Sequence, residues 1–477
     1  MSKLKLFIEN FIIYGFGSII NKVIPLIMVP IITRLMPTTE YFGLSDLSNT
    51  LISFASAFAI MGMYDAMYRM YFDNESDVYK KNVCSTSLFF TLITSAIVTL
   101  ILFLTNKVIA NYFFGDKKYN YLVYLCGIAT FVGASNSIIS APTRMQNKRK
   151  IYLIANFATT LLSYGFSIPL LIKGYYVIAL PLAGILSGIF TEVFFAFINH
   201  KWFSLKSFDK KLLKDLLVIA IPLLPNFLLY WVFNSCDKVM ITNILNVGES
   251  GIYSVGSKLG HASQLIYLAF SGGWQFFAFS TMKEENQVNS NSKIFEYLGI
   301  ISLFSTLIIC TFSKSIYSIL FPEEYLRGFI ISSYLFLAPL LLMLYQVISN
   351  QFMIIKKTWP NIVFLSIGAI SNILFNYILI KKIGIEGAAI ATLIGYLISL
   401  IVCMIVLKKM KLFIIRKRFI ICFSIFCIMF IIWRLYFINT ILLSLISNIC
   451  YLVLILFIYK SDLLILLNKT KKRVYNE

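Results

Sequence analysis

The chain has 477 residues, of which 59% are hydrophobic and only 13% are charged, and its mean hydropathy is +0.82. Soluble proteins carry roughly 25% charged residues, so this composition excludes an ordinary soluble domain and predicts an integral membrane protein. Lys and Arg outnumber Asp and Glu by 42 to 21. These basic residues lie mainly in short loops between apolar runs, as cytoplasmic loop charges do, and we therefore expect no nucleic-acid binding.

Cysteine and histidine do not form the patterns of a metal or disulfide site. The eight cysteines lie mostly within apolar runs and form no CxxC pair, and His200 and His261 are the only histidines in the sequence. We therefore expect no metal centre and no cofactor. The sequence also contains no Walker loop, no G-x-S-x-G and no H-E-x-x-H motif, so we do not expect an enzyme.

Apolar windows of about 20 residues, the length of a transmembrane helix, occur along the whole chain. They predict an all-α polytopic membrane protein with about fourteen transmembrane helices. The windows lie at approximately 9–33, 43–68, 84–105, 119–141, 151–172, 176–198, 215–236, 239–265, 294–313, 329–351, 361–380, 387–407, 414–433 and 439–459.

The distribution of basic residues predicts the orientation of these spans. When the termini and alternate loops are placed on one side, that side has more than twice as many Lys and Arg residues as the other. Basic residues concentrate in cytoplasmic loops of membrane proteins. Both termini are therefore predicted to be cytoplasmic.

Weak sequence matches suggest an internal duplication. The same number of residues separates Gly43 from Gly251 and Lys148 from Lys356, and each pair has a similar place relative to a predicted span. Parallel repeats around a site near the membrane midplane are a recurrent transporter design. The predicted regions are a six-helix lobe (1–198), a basic cytoplasmic linker (199–214), a second six-helix lobe (215–407), and two extra helices with a basic tail (408–477).

Polar residues within the spans mark a candidate substrate site. A cation in a membrane span costs about 2.5–3.5 kcal/mol on insertion scales, so it normally faces a wet interior. Lys22 follows Asn21 in the first span, whereas Lys258 and His261 share one helical face in the eighth, with Tyr253 nearby. We predict that these residues bind an anionic substrate. The alternative is structural lysines that pair with a carboxylate or extend to the membrane interface.

Other charged residues are candidates for ion coupling or for a gate. Asp46 could pair with Lys22 or carry a proton, although a residue at a helix end is an equally open interpretation. Glu192 lies within the sixth span, where it could be a coupling carboxylate or a structural acid. Asp65 and Arg69 are spaced i, i+4, so they could form a surface ion pair or a gate.

Three segments resemble bacterial polysaccharide flippases. The segment DKVMITNILNVGESGIYSVGSKLG at 237–260 resembles their seventh-to-eighth helix signature, and TRLMPTTEYFGLSDL at 33–47 resembles their first-to-second helix turn. The segment IGIEGAAIAT at 383–392 is similar to the start of their twelfth helix. The resemblance is to the Wzx-like O-antigen and capsule branch of the multidrug/oligosaccharidyl-lipid/polysaccharide exporter superfamily. Asp46 departs from the pattern, because relatives more often have a neutral residue there.

The resemblance implies a V-shaped pair of lobes that moves a lipid-linked oligosaccharide, an undecaprenyl diphosphate glycan, from the cytoplasmic to the outer leaflet. It implies alternating access in the bacterial inner membrane, for O-antigen, capsule or exopolysaccharide synthesis. Because the sequence has no nucleotide-binding loop, we expect an ion gradient to drive transport. The implied partners are membrane lipids, a polysaccharide polymerase and a chain-length regulator. Lys22 and Lys258 would then attract the diphosphate. Asp237 and Lys238 are predicted to be a helix-end pair at the outer face.

Two other functions are open at this point. A cation-coupled multidrug exporter of the same superfamily would have the same fold, but a cavity for cationic drugs should carry carboxylates rather than two lysines. A membrane glycosyltransferase or polymerase would be expected to have a large loop with clustered catalytic groups, and the sequence has no such loop.

Overall fold

The computed structural model describes residues 22–357, 359–462 and 464. These residues form helices and connecting turns, with no strand among them, which confirms the predicted all-α class. Asn21 and the first part of the first predicted span lie outside the described residues.

The helices follow one another with short connections. Residues 22–35 are helical. They are followed by α1 (Thr39–Ile60), α2 (Met63–Tyr71), α3 (Asp77–Leu104), α4 (Asn106–Phe114), α5 (Asn120–Met145), α6 (Arg149–Ile172), α7 (Ala179–Asn199), α8 (Lys210–Ala220), α9 (Leu224–Trp231) and α10 (Asp237–Ile244). The later helices are α11 (Val247–Gly260), α12 (Gln264–Ser280), α13 (Gln287–Leu320), α14 (Gly328–Leu335), α15 (Leu337–Ile354), α16 (Trp359–Ile383), α17 (Ile385–Lys409), α18 (Lys417–Ile432) and α19 (Ile441–Ile458).

The helices make the protein a multi-pass membrane protein. In the described part of the chain, 11 helical segments are long and apolar enough to cross a bilayer. The count reaches 12 if α1 and α2, which meet at a bend of 47°, form one broken span. This agrees with about fourteen predicted spans, because the first predicted span lies mainly outside the described residues and the predicted eighth is not a single apolar helix.

The predicted boundary between the seventh and eighth spans was wrong. The prediction ended the seventh span at 236, but one helical segment continues from Lys210 to Ile244. The chain turns after this point, and α11 begins at Val247, where the side-chain oxygen of Asn246 accepts the Glu249 amide at 2.8 Å. That contact satisfies a free amide at the helix start. The charges of Asp237 and Lys238 suggested a loop, but both residues lie within α10.

Contacts divide the chain into two compact units. The first comprises the described residues up to Val255 together with Ala369–Gly395. The second comprises Gly256–Gly368 and the described residues from Tyr396 onward. These boundaries pass through α11, α16 and α17. They do not follow the lobe boundaries predicted from the sequence, which stay a prediction.

Within the first unit, α1 and α11 cross at two glycines. A Cβ atom on Gly43 would lie 2.4 Å from the Val247 carbonyl oxygen. A Cβ atom on Gly251 would lie 2.0 Å from the Thr39 carbonyl oxygen. Only residues without a side chain permit backbones to approach this closely. The two glycines that suggested a sequence repeat thus meet each other at one helix crossing.

The second unit contains a buried ionic cluster between α13 and α18. Glu296 is 2% exposed, and its carboxylate forms ion pairs with the guanidinium groups of Arg416 at 2.7 Å and Arg418 at 2.5 Å. The Tyr459 hydroxyl donates to the same carboxylate at 2.6 Å. Arg418 also contacts Asp462 at 2.6 Å. Burial raises the pKa of Asp462, but hydrogen bonds and charge from Arg418, with a further hydrogen bond from a tyrosine, lower that pKa below its usual range. The cluster joins α13, α18 and the segment that follows α19.

Candidate functional site

A cavity of about 610 Å³ opens within the first unit. Its size is within the range of small-molecule sites, roughly 300–1,000 Å³. The lining contains rings, hydroxyl and amide groups, and both signs of charge. The rings are Tyr64, Tyr152, Phe227, Tyr230 and Trp231; the hydroxyl and amide groups belong to Ser53, Ser56, Ser137, Ser140, Ser235 and Asn234; the charged residues are Asp65 and Arg144.

The seventh span supplies the aromatic wall. Trp231 ends α9, and its indole N–H donates to the Thr50 carbonyl of α1 at 3.0 Å. The ring of Trp231 also lies 4.8 Å from that of Phe54. These contacts fix the indole beside α1. A π-helical turn, Val232–Cys236, follows directly and carries Asn234. Such turns occur frequently at functional sites, and this one directs a new set of side chains toward the cavity.

Arg144 gives the cavity a cation. Its guanidinium donates to the Tyr64 hydroxyl at 3.0 Å and lies 5.9 Å from the centre of the Tyr152 ring. Arg144 was not among the predicted site residues, because it lies between the apolar windows 119–141 and 151–172, where a loop was predicted. In the structure α5 continues to Met145 and contains Pro142. The available signal was the position of Arg144 directly after an apolar run.

Asp46 and Lys238 form an ion pair within the same unit. The Lys238 ammonium lies 2.7 Å from the Asp46 carboxylate, and the two side chains are only 12% and 5% exposed. The pair links α1 to α10. The prediction that Asp237 and Lys238 form a helix-end pair was therefore wrong, because Lys238 binds another residue and both lie about two helical turns before the end of the span.

Asp237 is the centre of a second buried polar group. Its side chain accepts from the Tyr253 hydroxyl and, at 3.3 Å, from the Thr392 hydroxyl. The Asn372 amide donates to Thr392 at 3.1 Å, and the Asn376 amide donates to Asn372 at 3.2 Å. Within the described residues, the buried side-chain oxygen of Asn376 has no hydrogen-bond partner. One carboxylate among neutral oxygen atoms could hold a proton or a single hard cation.

This oxygen-rich group differs from the usual transition-metal sites. The described residues contain no cluster of three or more His, Cys, Asp or Glu side chains that could hold a metal ion. The group around Asp237 instead has one acid and several neutral donors and acceptors. Such a set of oxygen atoms suits a proton or a hard cation better than a transition metal.

The structure places the predicted substrate-binding residues in different environments. Lys22 is exposed on the helical residues 22–35. Lys258 and His261 are half-buried and belong to the second unit. Tyr253 belongs to the first unit and is fully buried, with its hydroxyl already bonded to Asp237. A role for these residues in substrate binding stays a prediction.

The predicted coupling and gate residues are also separated. Glu192 is half-buried in α7. Asp65 lines the cavity described above. Arg69 is exposed and forms its ion pair with Asp73 one turn further on, rather than with Asp65. Of the predicted coupling and gate residues, Asp46 is the acid that the structure shows in a buried ion pair, with Lys238.

Comparisons with known proteins agree with the architecture. The family described as "Polysaccharide biosynthesis protein" matches residues 31–270, just over half of the chain. No curated protein sequence matches. A solved structure of the lipid II flippase MurJ in an inward closed conformation is similar, with a TM-score of 0.72 and 16% sequence identity over 95% of this chain and 100% of that one.

Two structures of a multidrug resistance MATE family transporter of the MOP superfamily are also similar. The inward-facing conformation has a TM-score of 0.62 and 15% identity, and covers 83% of this chain and 98% of that one. The outward-facing conformation has a TM-score of 0.58 and 17% identity, and the match covers 85% of this chain and 95% of that one. At these identities the likeness establishes the fold and leaves the substrate open.

Proposed function

Because this chain belongs to the polysaccharide biosynthesis protein family, we propose that it is a flippase for a lipid-linked oligosaccharide. The proposed substrate is an undecaprenyl diphosphate glycan repeat unit that moves from the cytoplasmic to the outer leaflet of the bacterial inner membrane. Both termini would be cytoplasmic. A polysaccharide polymerase and a chain-length regulator are proposed to act on the same material.

The observation that carries this proposal is the composition of the cavity wall. Sugars present apolar ring faces and many hydroxyl groups, so they bind where aromatic rings and small polar side chains alternate. The cavity has this mixture, with Trp231 and Tyr230 beside Ser53 and Asn234. Arg144 adds a planar cation that can hold phosphate oxygens in bidentate fashion.

The lysines identified in the sequence are proposed as further contacts. Lys22 and Lys258 would attract the diphosphate at different stages of transport, with Asn21, Tyr253 and His261 in supporting roles. Lysine is suited to transient phosphate contacts, because it is a compact charge that does not impose bidentate geometry. Replacement of Lys22 or Lys258 by Ala should reduce export at unchanged protein level.

We propose that transport uses alternating access and is coupled to an ion at Asp237. The support is the burial of this carboxylate, which is 3% exposed, together with the neutral oxygen atoms around it. Protonation or cation binding would change the charge inside the first unit and thus bias its conformation. Asp46, Glu192 and His261 are the other proposed carriers, and Asp65 and Arg69 are proposed gate residues.

Deletion of the gene in its host tests the function. A flippase deletion should abolish the surface polysaccharide and leave undecaprenyl-linked repeat units on the cytoplasmic face, detectable by lipid extraction and mass spectrometry. Restored polysaccharide on expression of the wild-type chain is the control. Normal surface polysaccharide in the deletion strain would refute the proposal.

The same strains test the alternatives. A multidrug exporter of the same fold would change dye efflux and leave the surface polysaccharide intact. A membrane glycosyltransferase or polymerase would change the structure or length of the glycan, so that the trapped lipid-linked material would be incomplete or already on the outer face. Complete repeat units on the cytoplasmic face distinguish the flippase from both.

A further inference from the structure

The connection between α7 and α8 is folded against α3. Its backbone amides at Ser204 and Asp209 donate to the hydroxyls of Ser85 and Thr86, each at 3.0 Å. The Ser85 hydroxyl in turn donates to the Trp202 carbonyl at 3.3 Å. Three side chain–backbone hydrogen bonds thus fasten this connection to the start of a membrane span. The connection therefore has a defined conformation against α3.

An apolar slot of about 180 Å³ lies between the connection and α3. Leu88 and Leu92 line it from α3, and Phe203 and Phe208 line it from the connection. The ring of Phe208 lies 5.0 Å from that of Phe89, which closes one side. Leu205, at the rim, is 81% exposed. The slot therefore leaves apolar surface open beside a helix that is long and apolar enough to span a membrane.

Three lysines lie close in sequence to the residues that line this slot. Lys201, Lys206 and Lys210 each lie within two residues of a lining residue, and all three are exposed. Between Asn199 and Asp215 the chain has five lysines and two aspartates. Asp209 is engaged in capping α8, where its carboxylate accepts two amides at 2.7 and 3.2 Å. The surface is thus basic as well as apolar.

We infer that this slot and its lysines form a binding site for one anionic phospholipid of the cytoplasmic leaflet. Part of an acyl chain would occupy the slot, and the phosphate would lie among Lys201, Lys206 and Lys210. Basic clusters beside membrane spans attract anionic headgroups, and the adjoining slot adds a place for the chain. The charge complementarity and the apolar surface together favour a phospholipid over a soluble anion.

Native mass spectrometry of the delipidated full-length protein tests this site. The protein is titrated separately with dioleoyl-phosphatidylglycerol, dioleoyl-phosphatidylcholine or undecaprenyl phosphate. We expect the first phosphatidylglycerol to bind at least tenfold more tightly than phosphatidylcholine. The triple variant Lys201→Gln/Lys206→Gln/Lys210→Gln should lose affinity for phosphatidylglycerol by about fivefold per lysine. Leu92→Trp, which fills the slot without altering charge, should also weaken binding about tenfold.

A matched variant separates this site from general electrostatic attraction. Lys408, Lys409 and Lys411 are also exposed and are predicted to face the same side of the membrane. Their triple replacement by Gln should leave the first binding event unchanged. Equal binding of the two phospholipids, equal loss in both triple variants, or unchanged binding in Leu92→Trp would overturn the inference. Stronger binding of undecaprenyl phosphate than of phosphatidylglycerol at this site would also overturn it.

Discussion

Lys238 and Asp46 form a 2.7 Å ion pair that joins α10 to α1 inside the first unit. Both side chains are nearly buried, with exposures of 12% and 5%. Burial removes the hydration of each charge, so each depends on the other for compensation. The pair also explains how a chain that crosses a membrane can carry Asp46 where a neutral residue was expected.

Removal of one member of this pair should destabilise the protein strongly. We expect Lys238→Met to lower the free energy of unfolding by about 3–5 kcal/mol, because an uncompensated buried carboxylate remains. The apparent melting temperature of detergent-solubilised protein, measured by size-exclusion chromatography after heating, reports this loss. The double variant Asp46→Leu/Lys238→Met should recover most of it. Equal destabilisation in the single and double variants would contradict the pairing argument.

The crossing of α1 and α11 should not tolerate a methyl group. Gly43→Ala and Gly251→Ala would each place Cβ within 2.4 Å or less of a backbone carbonyl oxygen. Overpacking typically costs about 1–3 kcal/mol, and the upper end is expected because backbone atoms cannot rotate away. The same thermal assay measures the effect.

Gly133→Ala is the control for this pair. Gly133 lies within α5, and among the described residues no heavy atom comes within 4 Å of its added Cβ. Alanine is favoured over glycine inside a helix by about 1 kcal/mol. The variant should therefore match or exceed the wild type in stability. If Gly133→Ala lost as much stability as Gly43→Ala, the close approach of α1 and α11 would not be the cause of the destabilisation.

Arg144 should be required for export. Arg144→Gln removes the cation from the cavity wall, and we expect at least tenfold less surface polysaccharide at unchanged protein level. Arg144→Lys should recover part of the activity, because it restores charge without the bidentate geometry. Lys118→Gln is the control, since Lys118 is exposed, pairs with Asp116 and does not line the cavity. Full export by Arg144→Gln would exclude the proposed phosphate contact.

Asp237 should determine the ion dependence of transport. Asp237→Asn keeps the shape of the side chain but cannot be protonated or carry a negative charge. We expect this variant to fold and to lose the response of transport to an imposed proton or sodium gradient in vesicles. Thr392→Val, which removes one neutral oxygen from the group, should shift the ion concentration required for half-maximal transport. An unaltered gradient response in Asp237→Asn would assign coupling to another residue.

The sequence was informative where a pattern repeats along a helix and uninformative where distant residues meet. Apolar windows predicted the spans because lipid imposes one requirement on every helix. The seventh span was cut short at Asp237 because a charge in isolation resembles a loop, whereas in the structure its neighbour Lys238 is neutralised by Asp46. Arg144 was missed for a related reason. Arg144 is held in the cavity wall by contacts with Tyr64 and Tyr152, which lie on other helices.

The ionic cluster at Glu296 has a consequence for how the protein is made. Glu296 precedes its partners Arg416 and Arg418 by 120 and 122 residues. At a synthesis rate of 5–20 residues per second, Arg416 is synthesised roughly ten seconds after Glu296. During that interval α13 is a span with an uncompensated carboxylate. Chains that stop before α18 therefore leave the Glu296 carboxylate without its two arginines, and we expect them to be less stable than the complete chain.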